Sequence, residues 1–368
     1  MRTYTPEQVY RLALQCAHTL NWRQQQMLLD AYGTAEAVLT HMDRGVRDIV
    51  GNKAYEELRG IRKLGARQLL DQLESAGAQI IFKEDAEYPA LLREIADPPH
   101  ALFLRGTPAA DERSVAIVGS RRDTRYGRTQ AKKIARDLAA AGITVVSGLA
   151  RGIDTAAHEG ALEGGGRTVA VMGNGIDMVY PGENDGLARC IIENGGAVMT
   201  EFPFGSEPLA FHFPIRNRII SGISAALLLI EGHARSGTMI TAGCAADQGR
   251  EVFALPGAVD APGSAAPLAL LRDGAGICTC AQDILVDMGW MPRSARVAEC
   301  ELPQARLAGL NDVQRGIAEL LLDEPKSFEA LVTESGMSPQ QLSAELTLME
   351  LDGVAEARAG HVYALKTE

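Results

Sequence analysis

From Val115 to Gly257 the chain repeats one pattern six times: a short apolar run stops at a glycine-containing loop, and a segment of helical character follows. The runs and their loops are VAIVGSRR (115–122), VVSGLARGID (145–154), VAVMGNG (169–175), VMTEFP (198–203), LLLIEGHARSGT (227–238) and VFALPG (252–257). The helices between them are legible too. In YGRTQAKKIARDLAAAG (126–142), Ile134, Leu138 and Ala141 fall at helical spacing before a terminal glycine. Such alternation from about 107 to 290 predicts an α/β fold with a doubly wound sheet. In a parallel sheet of this kind all six loops leave the carboxyl edge, where helix N-termini offer free N–H groups and partial positive charge to phosphates.

The flanks follow other patterns. Up to about residue 100 the chain reads as short capped helices, with Thr34 as an N-cap. Within LRGIRKLGARQLLDQL (58–73), the spacing of Ile61, Leu64 and Gly65 is that of a helix-hairpin-helix turn, which serves either to aim N–H groups at DNA phosphates or simply to join two helices. AGAQIIF (76–82) reads as a strand and DPPHALFLRG (97–106) as an extended entry into the core. Residues 291–306 lack periodicity and contain two prolines, a linker. From 307 to 368 the order is helix (312–322), helix (326–334), a third helix with Ser338 as N-cap and Pro339 at its first position, then two short strands, which is a winged-helix pattern. The domains expected are therefore 1–84, 85–290 and 307–368, joined by the linker.

Composition narrows this picture. Hydrophobic content of 46% with 23% charged residues is that of a globular chain. AALLLI (225–230) is far too short to span a bilayer and the N-terminus lacks a long apolar stretch, so no membrane partner and a cytoplasmic location are expected. Six cysteines without a CxxC pair argue against a zinc site or a disulfide framework, and no metal or cofactor is expected. The net charge is −11, but Arg113 to Arg136 holds eight basic residues against Asp123 alone. Residues 307–368 hold four basic and eleven acidic residues. The third helix of the tail carries Glu345 and Glu350 and no lysine or arginine, so the winged helix reads as a protein-contact module rather than a reader of the major groove.

Four segments carry candidate chemistry. GSRRDTRYG (119–127) is neither a Walker A loop nor a dinucleotide turn; it places Gly119, Ser120, Arg121, Arg122 and Arg125 at a strand end, and guanidinium groups suit phosphate forks. SGLARGIDTAAH (147–158) supplies Arg151, with Asp154 and His158 one helical turn apart. Those two, with Ser147, resemble a nucleophilic set but read better as residues that cap and brace the loop. FHFPIRNRIISG (211–222) sets Arg216, Asn217 and Arg218 just after Phe211 and Phe213, the pairing of guanidinium and aromatic used on single strands, though either phenylalanine reads equally as core. HARSGTMITAGC (233–244) brings Arg235, Ser236, Gly237, Thr238 and Thr241 to a helix start, a candidate anion nest.

These blocks resemble, in order and spacing, the DNA-processing protein A (DprA/Smf) family: VAIVGSRR with YG, SGLARGID with AH and AL, VAVMGNGID with YP and EN, the glutamate of TEFP, FP.RNRIISG, SGT with TA and DQGREVFALPG, and RDGA (272–275). The resemblance covers about 85 to 285. It implies an extended Rossmann domain flanked by a helical SAM/helix-hairpin-helix-like head and a winged-helix tail. It also implies a homodimer that binds single-stranded DNA without sequence choice, protects incoming strands during natural transformation and loads the RecA recombinase. Carried over by position, the DNA pocket comprises Gly119, Ser120, Arg121, Phe213, Arg216, Asn217, Arg218, Ser236, Gly237 and Thr238. Where the family places a basic residue three positions before Phe213, this chain has Ala210, which leaves Arg235 as a substitute if the fold brings it near. Ala266 and Leu268 also depart from the family's usual glycine and polar residue. The rival reading is a Rossmann nucleotide phosphoribohydrolase, whose PGGxGTxxE loop has its closest match in EGHARSGTMITA; there Thr241 stands where an acid is required.

Overall fold

The structure is a computed structural model that describes residues 2–108, 112–234, 236–291, 310–321, 325–358 and 360–365. The expected linker, 291–306, lies outside these but for Met291. The described residues form two compact units, Met1–Leu285 and Val286–Glu368.

The first unit is built on a nine-stranded sheet of order β1-β2-β6-β5-β4-β3-β7-β8-β9. Its strands are β1 (Gln79–Phe82), β2 (Ala101–Gly106), β3 (Ser114–Val118), β4 (Thr144–Ser147), β5 (Thr168–Val171), β6 (Ala197–Thr200), β7 (Ala226–Leu229), β8 (Glu251–Ala254) and β9 (Gly276–Ile277). From β6 to β9 every neighbouring pair is parallel, as the alternating pattern predicts. β1 and β2 add an antiparallel hairpin to the edge, so the sheet reaches back into the segment assigned to the helical head. The four strands β3 to β6 advance in one direction, and the chain then returns to place β7 on the other side of β3. The carboxyl ends of β3 and β7 therefore flank the point where strand order reverses, the crevice where doubly wound sheets bind ligands.

Pleating divides the sheet into two faces. On one, Ile80, Phe82, Phe103, Ala170, Met172 and Val198 share a continuous core with the helical head. On the other, Ile81, Leu102, Leu104, Val118, Val171 and Met199 pack under α9 (His212–Ile223) and α10 (Gly237–Asp247). The head comprises α1 (Pro6–Gln15), α2 (Trp22–Tyr32), α3 (Ala35–His41) and α4 (Arg44–Ser75). Thr34 caps α3 as expected, and α4 breaks at Gly65, where the hairpin spacing predicts a turn. A second break at Gly51 carries no such spacing.

The short α5 (Ala90–Arg93) lies between β1 and β2, and α8 (Asp185–Glu193) precedes β6; α6 (Arg125–Ala140) and α7 (Ile153–Glu163) cross so closely that Gly160 sits against the main chain of α6. The buried stripe of α6 is Ala131, Ile134, Ala135, Leu138 and Ala139, while Ala141, expected on that stripe, is exposed at the helix end.

The second unit contains helices Asp312–Leu320, Phe328–Ser335 and Pro339–Leu351, and a three-stranded sheet of β10 (Lys326–Ser327), β12 (Val362–Leu365) and β11 (Ala355–Arg358). Leu331, Leu342, Leu346 and Met349 are its centre. Ser338 caps the third helix, with Pro339 in its first turn. The fold class is thus the expected one: mixed α/β with a Rossmann-like sheet, a helical head and a winged helix.

A Cβ at position 160 would lie 2.1 Å from the Lys132 carbonyl oxygen. Gly160→Ala is therefore expected to push α6 from α7 and destabilise the first unit by about 1–3 kcal/mol. The measurement is the denaturant midpoint followed by tryptophan fluorescence, and an unchanged midpoint would contradict the close crossing.

Candidate functional site

A cavity of ≈ 550 Å³ opens at the reversal point. Gly119, Ser120 and Arg121 after β3 form one wall; Gly232, His233 and Ser236 to Thr238, after β7, form another; Phe213, Arg216 and Asn217 of α9 form the floor. Nine of the ten pocket residues carried over from the family resemblance thus converge on one cavity, all but Arg218.

The buried guanidinium of Arg216 organises the floor. It is 3% exposed. Its Nη1 donates to the carbonyls of Gly148, at 2.8 Å, and Val171, and its Nε donates to Asn217 Oδ1 at 3.2 Å. The Asn217 amide in turn reaches the Gly237 carbonyl at 3.4 Å, tying α9 to the first turn of α10. Burial lowers the pKa of Arg216 to about 10, partly offset by Asp154, so the group stays charged at neutral pH.

Asp154 is buried as well, and burial raises its pKa against the opposing pull of Arg216. Its Oδ2 accepts from Gly148 N at 3.1 Å and Ala150 N at 3.4 Å. The residue between them, Leu149, has φ +56°, and Asn184 holds its carbonyl at 2.8 Å. This left-handed turn aims two N–H groups at one anion, and that anion is the chain's own carboxylate. Gly152 lets the neighbouring loop approach: a Cβ there would lie 2.3 Å from the Ser120 carbonyl oxygen.

Helix starts differ in a way the sequence pattern does not reveal. The start of α6 is closed by Glu231, whose carboxylate accepts from Thr124 N at 3.0 Å and from the Thr124 hydroxyl. Asp154, in the first turn of α7, accepts from the loop that precedes it, while Ile153 N donates to the Ser120 carbonyl at 3.2 Å. At α10 the N-cap Ser236 makes no capping hydrogen bond to the main chain, and its hydroxyl meets Thr238 Oγ1 at 2.5 Å. The start of α10 borders the cavity with no side-chain cap on its N–H groups.

The cavity also has an aromatic component. Phe213 is half-buried, with Arg121 Cζ 4.7 Å and Arg216 Cζ 5.8 Å from its ring centroid. Tyr180 lies 6.0 Å away and is 38% exposed. Sequence reasoning did not single out Tyr180, on the loop after β5, as a site residue. Phe211, the other candidate, is 62% exposed and lies outside this cavity.

Three expected residues are elsewhere. Arg218 is 7% exposed on the opposite side of α9, where Nη2 pairs with Glu201 at 2.5 Å and Nε with Asp97 at 3.1 Å. Arg151 is exposed and paired with Glu183 at 2.5 Å. Arg122 is exposed beside the cavity, its N–H donating to Ser120 Oγ at 3.0 Å. Arg235 lies outside the described residues. The Ser, Asp and His set does not form a relay. Ser147 Oγ donates to the Ile117 carbonyl at 2.7 Å. Asp154 braces the loop as expected, but His158 does not: it turns to Thr168 Oγ1 at 2.7 Å, between strands. Among the described residues no cluster of three or more His, Cys, Asp or Glu could hold a metal, and no helix is long and apolar enough to cross a membrane.

Comparisons with known proteins follow this geometry. The family model for DNA recombination-mediator protein A matches residues 79–289, and that for the DprA winged helix domain matches 301–361. Protein Smf of Escherichia coli K12 is 38% identical over 299 residues, covering 79% of this chain and 78% of that one. The structure of DNA processing protein A from Streptococcus pneumoniae superposes with a TM-score of 0.63 at 32% identity, covering 77% of this chain and 98% of that chain. DNA processing protein A from Helicobacter pylori, described as having a unique single-stranded DNA binding mode, gives a TM-score of 0.51 at 28% identity, with 57% and 95% coverage.

The buried imidazole carries a pH signature. Thr168 Oγ1 spends its proton on the Val145 carbonyl, so His158 Nδ1 must be the donor. Burial, with Arg216 second, lowers its pKa from 6.5 to about 3. The unfolded chain therefore binds a proton that the native chain refuses, and stability falls as pH drops below about 6.5. The slope approaches about 1.4 kcal/mol per pH unit. Urea titrations of wild type and His158→Gln between pH 7 and 5 should show that extra slope in the wild type alone; parallel curves would contradict the assignment.

Proposed function

The chain belongs to the DNA recombination-mediator protein A family, and we propose that it binds single-stranded DNA at the cavity between β3 and β7. The observation that carries this reading is the convergence there of an exposed guanidinium, an aromatic ring and an open helix start. A phosphate has Arg121 and the first N–H groups of α10 as donors, with the hydroxyls of Ser236 and Thr238 beside them. A base has the ring of Phe213 and its guanidinium neighbour as a stacking surface, with Tyr180 at the side. Arg216 acts from below: it holds Phe213 and Asn217 in place and adds positive potential without reaching solvent. None of these contacts reads a base edge, in keeping with binding that tolerates any sequence.

The finer role is to protect incoming strands and load RecA during natural transformation, as a cytoplasmic homodimer whose winged helix contacts protein rather than DNA. The winged helix supports this through its third helix: the exposed residues on its outer side include Ser343, Thr347, Leu348 and Leu351, with no basic side chain. The rival hydrolase needs a free acid in the cavity. Among the described residues the one carboxylate lining it is Asp154, which is held by Gly148, Ala150 and Arg216. That favours a binding protein over an enzyme.

Fluorescence anisotropy with labelled oligothymidine tests the reading. Arg121→Ala and Phe213→Ala should each weaken binding by about 1–3 kcal/mol, roughly five- to a hundredfold. The logarithm of the wild-type constant should fall with the logarithm of salt at about −0.7 per neutralised phosphate. Absence of binding at low salt, or wild-type affinity in both variants, would overturn it, and release of free base from nucleoside monophosphates would revive the hydrolase.

A further inference from the structure

On the far side of α9 lies a larger cleft, ≈ 1420 Å³, between the sheet and the helical head of the same unit. It is separate from the first cavity; only Pro214 borders both among their bulky side chains on the N-terminal turn of α9. Its wall holds the ion pair of Arg218 with Glu201 and Asp97. A purely structural ion pair would use up its hydrogen-bonding atoms. Here Arg218 Nη1, Glu201 Oε1, Gln248 Oε1 and Arg250 Nε are all buried without a hydrogen-bond partner, four of the eight such atoms among the described residues, and all four side chains line this cleft. Arg218 is the deciding one: its side chain is 8% exposed, clamped by two carboxylates, and still keeps one donor nitrogen unpaired.

The chemistry of an occupant follows from the rest of the wall. Glu94, Asp97, Glu201, Glu207 and Asp247 outnumber Lys53, Arg218 and Arg250, so the cleft repels a phosphate chain. Phe202 and His212 stack with centroids 4.2 Å apart and 27° between planes, and both are partly exposed, which gives a flat face beside the polar edge. A planar, uncharged group with a donor and an acceptor side by side fits both features. We propose that this cleft is a second binding site and that it takes a nucleobase, which donates to Glu201, accepts from Arg218 and lies against Phe202 and His212.

The base has two possible sources: a free nucleoside, or a base of a strand whose phosphates stay on the Arg121 side of α9. The first source is independent of the proposed DNA function, and the second rests on it. Saturation-transfer NMR of the full chain with the four deoxynucleosides, which carry no phosphate, addresses the first. Anisotropy with short oligodeoxynucleotides addresses the second. Glu201→Gln keeps the shape and removes the charge; Gln248→Met removes a neighbouring acceptor and carries the test if Glu201→Gln fails to give a cooperative melt.

Nucleoside binding that either variant weakens by about tenfold or more, and that survives Arg121→Ala, is the expected result. No nucleoside binding, but an oligonucleotide affinity that falls in the cleft variants, also supports the site and assigns the base to the strand. Nucleoside binding lost in Arg121→Ala and intact in the cleft variants would place the ligand in the first cavity and overturn the inference. Wild-type behaviour of the cleft variants in both measurements would overturn it too. Failure of the DNA reading shows separately, as wild-type oligonucleotide affinity in both Arg121→Ala and Phe213→Ala.

Discussion

Everything at the reversal point depends on one buried guanidinium. Arg216 holds the loop after β4 through Gly148, the end of β5 through Val171 and the start of α10 through Asn217. It also faces the carboxylate that shapes the turn at Leu149. Burying such a charge is tolerated only because these acceptors replace its water. The arrangement is mutual, since removing one member of a buried pair costs about 3–5 kcal/mol. A cavity floor made this way is preorganised: Phe213 is held beside the guanidinium groups of Arg121 and Arg216 before any ligand arrives.

Two acids then decide which parts of the carboxyl edge remain available. A parallel sheet sends several helix starts to the same edge, and each is a latent anion site. Glu231 occupies the start of α6, and Asp154 takes up the N–H groups of the loop that leads into α7. Both carboxylates are supplied from the edge itself, Glu231 from the loop after β7 and Asp154 from the first turn of α7. The start of α10 carries only hydroxyls. A negative ligand is thereby directed to α10 and to Arg121, and the loops that look alike in sequence are made unlike in charge. The basic stretch around α6 keeps its net positive character, yet its first helical turn is neutralised from within.

This is also where legibility in the sequence ends. The alternation of apolar runs and glycine loops sufficed for the parallel strands, the capped helices of the head and the winged helix, because those follow from local period and cap chemistry. Side-chain direction does not. Arg216 and Arg218 are two apart on a helix, so they leave it on opposite sides. Nothing local says which one meets the cavity, and only the pairing of β6 beside β5 brings Glu201 to claim Arg218. Arg151 is lost to Glu183 for the same reason, a partner that folding delivers from another loop. Tyr180 falls within the YP of the family blocks, yet an uncharged aromatic on a loop has no period that tells which way its ring faces.

The two-sided character of α9 has a structural consequence that reaches beyond the cavity. Its inner side is committed to the sheet through Ile219, Ile220 and Ile223, so the two arginines are held in fixed directions rather than left to sample both. Arg218 is then buried only because the chain after β6 passes over it, and that passage is anchored by the head: Gln15 donates to the Glu201 carbonyl at 2.6 Å. Phe204, three residues on, packs edge-on against Phe103 of β2 at 5.0 Å, in the core that head and sheet share. The head is therefore part of the scaffold that sets the polarity of α9. With it docked, the far side of the helix is an acidic wall, and a polyanion is left with the side that carries Arg121.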